Sequence, residues 1–434
     1  MHPVSGGQPL LQGADRLAFL YRISGVFNSS LDLDQVLNTV MDEVVAATHA
    51  ERGFLVLREP DGRLEFRAAR GLEQRTIDEP AFQVSRGVVE RVAREGKPQL
   101  TSDAQSDGWL SARQSVVILG LRSILCVPLQ LKGNILGVVY VDNRLQVGIF
   151  TTGDLELLTA IAATAAVAIE NARLYQMAVD KGRMERELQV AREVQASLLP
   201  RQMPLIAGWE FAAFWQPARE VAGDFYDFVP INLMQGAGSS PGLGIVIADV
   251  SDKGMPAALF MALSRSIVRA SVAQGLPPAE GISQANRLIC ADAMNGMFVS
   301  LFYAQLDPLS GQMAYVNAGH NPPLWLHAMS HELGELTRTG MVLGIEASAL
   351  YEQCTAQLEA GDTVVFYTDG VTDALDAQGE EFGMERLRRV ILGQRSAPAA
   401  ELAAALERAV TGFGGGAHFD DITVVVAKRS GERV

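Results

Sequence analysis

Asp224 follows Gly223 in REVAGDFYDFV, residues 219–229, a stretch that otherwise reads like the end of a buried strand. Similar acids recur downstream. Asp249 closes the apolar run GIVIADV, Asp369 closes TVVFYTDG, and Asp420-Asp421 lead into ITVVVA. Each has turn-permitting glycine nearby: Gly223, Gly370, and the run Gly414-Gly415-Gly416. Singly, an aspartate in such a place is an ordinary turn residue or helix cap. Four of them at strand boundaries of one region point instead to a shared site. Two carboxylates ~4 Å apart repel by ~4 kcal/mol at an effective dielectric near 20. Protons or a cation must therefore relieve a converged cluster. Oxygen-only donors favour Mg²⁺ or Mn²⁺ over zinc, which usually brings His or Cys, and no HxxH, HxxE or CxxC spacing accompanies the acids. Two such ions bridged by water lower that water's pKa, orient it and neutralise phosphate charge, which is the chemistry of phosphate-ester hydrolysis. No GxxxxGK[ST] phosphate loop and no GxSxG elbow offers another route.

Other residues carry two readings each. His320 in NAGHNPP is read as a structural turn residue, with a general acid as the alternative. Lys253 is either a phosphate contact or a solvated lysine at a helix start. Cys290, Phe302 and Trp325 read as packing.

A chain of 434 residues exceeds one ordinary core, and two units are expected. The net charge of −14 disfavours nucleic-acid and anionic-membrane partners, which want a basic surface. Cys126, Cys290 and Cys354 form neither a CxxC pair nor an even disulfide set, so a reducing, cytoplasmic setting is expected. The apolar run LLTAIAATAAVAI, residues 157–169, falls short of the ~18 residues of a membrane span and reads as a packed helix. Residues 1–14 read as a loose, disordered tail without signal-peptide character.

From residue 15 to 172 the pattern is helix, strand pair, helix, strands, helix. DLDQVLNTVMDEVVAAT has helical spacing, and RGFLVLREPDGRLEFRAAR reads as two strands around Pro60-Asp61-Gly62. SILCVPLQLKGNILGVVYVDN gives a second hairpin at Lys132-Gly133-Asn134. The closing helix follows FTTGDLELL, with Thr152 or Asp154 as its cap. These residues resemble a GAF domain. Asn143-Arg144, Phe150 and Asp154 partly match the pattern of the family's cyclic-nucleotide binders, but Leu155 stands where a glutamate is expected. A ligand pocket would be lined by apolar residues of the hairpin and of residues 84–120, and its ligand is not legible.

Residues 157–199 can run as one helix, ended by Pro200. In its second half Met184, Leu188, Ala191 and Leu198 form a narrow apolar seam among charges, with Gly182 as a weak point. Residues 173–199 are thus expected to be a coiled-coil linker that makes a homodimer. A surface helix packed on its own domain is the alternative.

In residues 200–434 the apolar strands LGIVIADV, FVSLFYAQLD, MAYVNAGH, DTVVFYTDG and DITVVVAKR alternate with helices collected in pairs, an α+β sandwich. EVAGDFYDF, IADVSDKGMPAALFMA, MFVSLFYAQLDPLSGQMAYVNAGHNPPLW, LEAGDTVVFYTDGVTDALD and FDDITVVVA, in that order, resemble the motifs of the SpoIIE/RsbU-type serine/threonine phosphatases of the metal-dependent PPM class. The resemblance implies an α-β-β-α sandwich with two Mn²⁺ or Mg²⁺ ions. Asp224, Asp249, Asp369 and Asp420 would be ligands, with the Val250 carbonyl as a further one. Asp227 and Asp421 are second choices that would orient waters or backbone. Larger relatives often carry a histidine just after the acid matched by Asp249, whereas this chain has Val250 and Ser251, so the leaving group's acid is unassigned. The implied substrate is a phosphorylated anti-sigma-factor antagonist of STAS type, in partner switching. A GAF-linked two-metal nucleotide cyclase and a non-catalytic scaffold are the rival readings.

Overall fold

The structure, a computed structural model, describes residues 13–71, 84–105, 119–235, 238–293, 296–414 and 420–430. It falls into two compact units that divide between Arg183 and Met184. Residues 1–12 of the expected tail lie outside the described residues, whereas Gly13 and Ala14 already belong to the first helix.

In the first unit, α1 (Gly13–Phe27) and α2 (Leu33–Thr48) precede the hairpin β1 (Arg52–Arg58) and β2 (Leu64–Gly71). α3 (Arg86–Glu95), β3 (Gln99–Thr101), β4 (Ser123–Leu131), β5 (Asn134–Asn143) and the long α4 (Thr152–Leu198) follow. Apolar residues at three- and four-residue spacing make α2 amphipathic. Val36, Leu37, Val40, Met41 and Val44 are buried, and the Asp32 carboxylate caps the helix by accepting the Gln35 amide at 2.8 Å. β4 and β5 turn at Lys132 and Gly133, whose φ values of 49° and 88° suit a two-residue hairpin. The antiparallel sheet has the order β2-β1-β5-β4-β3. One face packs on α1, α2 and the start of α4, and the other, with Phe54, Tyr140 and Cys126, packs on α3. Residues 84–105 and 119–120 of the expected pocket lining are described, and residues 106–118 lie outside the described residues.

The cap of α4 differs from the expectation. Thr151, not Thr152, is its partner: the Asp154 carboxylate accepts the Thr151 amide at 2.8 Å and the Asp154 amide reaches the Thr151 hydroxyl at 3.3 Å. The residues of the partial nucleotide-binding pattern have structural employment. Asn143 accepts the amides of Leu145 and Gln146, Arg144 pairs with Glu51, Phe150 is buried and Asp154 serves the cap. By length and hydropathy α4 could cross a membrane. Its apolar half is a core helix instead, with Leu158, Ile161, Ala162, Ala165, Ala166, Ile169 and Ala172 buried in the first unit.

The second unit holds β6 (Trp209–Gln216), β7 (Phe225–Gln235), β8 (Gly238–Val250), α5 (Met255–Val272), α6 (Pro278–Asp292), β9 (Val299–Leu306) and β10 (Gln312–Ala318). After these come β11 (Leu324–Leu326), β12 (Leu333–Glu335), β13 (Cys354–Gln357), β14 (Thr363–Tyr367), the single turn α7 (Asp369–Thr372), α8 (Gly383–Gly393), α9 (Ala399–Phe413) and β15 (Ile422–Arg429). One antiparallel sheet runs β13-β10-β9-β8-β7 and the other β12-β11-β14-β15-β6. They pack face to face, with Phe302 edge-on to Phe366 at 5.5 Å. α5 and α6 cover the first sheet, and α8 and α9 cover the second through Leu387, Ile391, Leu402 and Leu406. This is the expected α-β-β-α sandwich. A sheet held between helices and another sheet has no wet face, so GIVIADV reads as an unbroken apolar run.

The sequence reading missed five strands of this unit. β11, β12 and β13 have only three or four residues, and β6 and β7 carry polar residues or proline. Pro230 is tolerated because β7 is an edge strand. REVAGDFYDFV is also corrected: it begins a strand rather than ending one, since Asp224 immediately precedes β7.

Phe302 is fully buried between the sheets, stacked on Tyr315 at 5.2 Å as well as against Phe366. Phe302→Ala is expected to destabilise the second unit by about 3–5 kcal/mol, read as a lowered denaturant midpoint. A midpoint unchanged from the parent would contradict this packing.

Candidate active site

Antiparallel pairing decides where the acids go. Phe225 at the start of β7 lies opposite Ala248, so Asp224 comes beside Asp249 at the end of β8. Tyr367 at the end of β14 faces Val424 of β15, so Asp369, just past β14, comes beside Asp420 and Asp421, just ahead of β15. The two sheets are pinned together here. Thr368 Oγ1 and Thr423 Oγ1, from the second sheet, both donate to Asp224 Oδ2 of the first, each at 2.7 Å.

Electrostatics confirms that these carboxylates feel one another. Burial, then Asp249, then Asp421 hold the Asp224 carboxyl well above the ordinary carboxylate range, against the two threonine bonds. Burial, then Asp369, push Asp249 up to about 7. Asp369 is raised by burial and then by Asp420. Crowded in this way, the carboxylates impede one another's ionisation. Among the described residues no three His, Cys, Asp or Glu side chains form a finished ligand set. The acids are within electrostatic reach of each other without meeting at one point.

The surroundings fit a hard cation. The acids supply oxygen donors alone, as Mg²⁺ or Mn²⁺ prefer. The backbone is drawn in so closely that a Cβ on Gly370 would lie 2.0 Å from the Asp421 carbonyl oxygen, and one on Gly223 3.0 Å from that of Val250. The Val250 carbonyl thus abuts the turn that presents Asp224. Gly414 follows α9, while Gly415 and Gly416 lie outside the described residues.

Asp421 uses both carboxylate oxygens on backbone, accepting the Ala218 amide at 2.8 Å and the Gly223 amide at 2.7 Å. Burial raises it too, while those two amides act the other way. Asp420 accepts the Asp421 amide at 3.0 Å and the Lys253 ammonium at 2.8 Å. Asp227 is not in the cluster. Its buried carboxylate is held by Arg265 at 2.9 Å and Arg269 at 2.7 Å, both from α5, and accepts the Phe228 amide.

His320 is fully buried, bonded through Nδ1 to Ser300 Oγ at 2.8 Å, while its amide donates to Asn317 Oδ1. Burial depresses its pKa to about 3, so it stays neutral and packs. Ser251 is likewise engaged, accepting the Phe298 amide through Oγ and donating its own amide to the Phe298 carbonyl. Cys290 is only part-buried on α6, and Trp325 donates Nε1–H to Asp362.

Three residues escaped the sequence reading. Thr368 and Thr423 flank the acids as unremarkable β-formers. Gln195, near the end of α4, is buried and doubly bonded to Ala222: its Nε2 donates to the Ala222 carbonyl at 2.9 Å and its Oε1 accepts the Ala222 amide at 3.1 Å. Nε2 also reaches the Ala258 carbonyl of α5 at 3.2 Å. The available signal was an amide lodged in the seam of an otherwise charged helix.

Comparison with known proteins agrees with this fold. Residues 239–430 match the family model described as stage II sporulation protein E (SpoIIE), and residues 30–170 match the GAF domain model. Protein IcfG of Synechocystis sp. is 30% identical over 273 residues, covering 56% of this chain and 42% of its own. The phosphoserine phosphatase RsbU of Bacillus subtilis is 31% identical over 193 residues, covering 44% of this chain and 55% of its own. The chain spans about half the length of these curated relatives. The SiaA-PP2C domain of Pseudomonas aeruginosa shares the fold, with a TM-score of 0.50 and 23% identity over 58% of this chain and 99% of that one. Residues 30–170 are thus similar to GAF domains and residues 239–430 to the SpoIIE model, and the second unit has the sandwich fold of the SiaA-PP2C domain.

Proposed function

We propose that this protein is a metal-dependent protein serine/threonine phosphatase regulated by its GAF domain. The observation that carries the reading is the set of acids at the abutting strand ends of two sheets, with Asp224 fixed between them by Thr368 and Thr423. The phosphoserine phosphatase activity in the name of the RsbU relative supports it.

In this reading Asp224, Asp249, Asp369 and Asp420, with the Val250 carbonyl, hold two Mn²⁺ or Mg²⁺ ions. When bound, such ions supply a hydroxide-like nucleophile at neutral pH and offset the charge of a phosphate. The protein's own contribution is positioning. The two threonines fix the Asp224 rotamer, Asp421 clasps the 218–223 turn, and the Gly223 and Gly370 backbones let the acids approach. His320, buried and neutral, has no part in proton transfer.

The substrate we infer is a phosphorylated protein, an anti-sigma-factor antagonist of STAS type in a partner-switching circuit. The GAF domain receives an unidentified ligand or regulator. The three free cysteines and the acidic surface suit a cytoplasmic protein that binds neither nucleic acid nor membrane. Met184, 63% exposed, opens a seam of α4 with Leu188, Ala191 and Leu198; Gln195 of the same seam is buried against this chain's own Ala222 and Ala258, so the part left for a partner runs from Met184 to Ala191. Such a narrow stripe on a charged helix is buried by a second copy, giving a homodimer.

Asp249→Asn and Asp369→Asn should each lower Mn²⁺-dependent phosphate release from a phosphoserine protein by at least about a hundredfold, with an unchanged far-UV spectrum. Full turnover in both variants would refute the assignment. Leu188→Asp should shift the mass measured by light scattering from dimer to monomer. A monomeric parent would remove the dimer from the proposal.

A further inference from the structure

Lys253 has a resting partner that a lysine in open solvent would not keep. Its Nζ lies 2.8 Å from Asp420 Oδ2, and its charge also acts on Asp369. The backbone brings it there. Asp252 and Gly254, on either side, have φ values of 70° and 84°, so the chain doubles back between β8 and α5 and presents Lys253 to the acids. Left-handed geometry is unfavourable for a residue with a Cβ, and Asp252 holds it at this turn. An ammonium is thus seated on one of the four proposed ligands.

The contact is built to be exchanged. Both side chains are well exposed, Lys253 at 46% and Asp420 at 38%, so water and salt weaken the pair. A divalent ion held by Asp420 would compete with the ammonium for that carboxylate. Lys253, tethered at the same mouth of the site, would then be free to meet an anion there, and a phosphate is the anion that such a site would take.

We propose that Lys253 is a phosphate-binding residue that rests on Asp420 and passes to the phosphoryl oxygens of the substrate once a divalent cation takes that carboxylate. The inference depends on the phosphatase reading, and no covalent step is involved. Lys253 holds a non-bridging oxygen as a point charge, a role open to a flexible ammonium.

The test uses the full chain as wild type, Lys253→Met and Lys253→Arg, with melting curves to show that all three are folded. Calorimetric titration with Mn²⁺ alone should show several-fold tighter binding in Lys253→Met, because the competing ammonium is gone. Titration of the Mn²⁺-saturated proteins with inorganic phosphate should show about tenfold weaker binding in Lys253→Met and substantial recovery in Lys253→Arg. Mn²⁺ affinity equal to wild type would overturn the resting contact, and phosphate affinity equal to wild type would overturn the transfer. Either result sinks the proposal. The phosphatase reading is judged separately, by whether Mn²⁺-saturated wild type releases phosphate from a phosphoserine peptide.

Discussion

Negative charge brought together where water is scarce must be held by force, and the C-terminal unit is organised around holding it. Asp224 is the clearest case: buried, crowded by Asp249 and Asp421, and kept in place by two hydroxyls from the opposite sheet. Each threonine bond is a charge-assisted contact, stronger than a neutral one. Those bonds also cross between the sheets, so the electrostatic strain of the site and the packing of the sandwich are one problem. The apolar layer around Phe302 and Phe366 holds the sheets close enough for the hydroxyls to reach.

The same accounting separates acids still open to a cation from acids bound into the frame. Asp227 stands three residues from Asp224, yet two arginines of α5 neutralise it, and it has no place for a cation. Asp421 adjoins Asp420, yet its oxygens are filled by amides. Asp420 accepts one amide, that of Asp421, and a half-exposed lysine. Unequal neutralisation among neighbouring carboxylates is what gives the cluster a mouth and a direction of approach.

Much of this was legible in the sequence because antiparallel hairpins make strand ends meet. Asp224, Asp249, Asp369 and Asp420 stood out as strand-boundary acids of one region, but the pairing of Asp224 with Asp249 was not legible, because residues 219–229 read as the end of a strand and β7 begins there. The sandwich followed from short apolar strands in succession with helices collected in pairs. Contacts made across sheets were not legible: Thr368, Thr423 and Gln195 match no local pattern, and their partners lie 144, 199 and 27 residues away. The short strands β11 to β13 and the proline-bearing β7 gave too weak an alternation to be seen. In the GAF domain the closing helix was placed well and its cap missed by one residue, since Thr151, Thr152 and Asp154 all have capping side chains.

The clasp of Asp421 on Ala218 spans 203 positions of the chain. Closing so wide a loop is entropically demanding and comes late in folding. While a ribosome is still making the segment before β15, the turn carrying Asp224 has neither its clasp nor Thr423. A nascent chain can thus gather its hydrophobic layers while the acid cluster is still incomplete, and the cluster closes only once synthesis has passed the final strand.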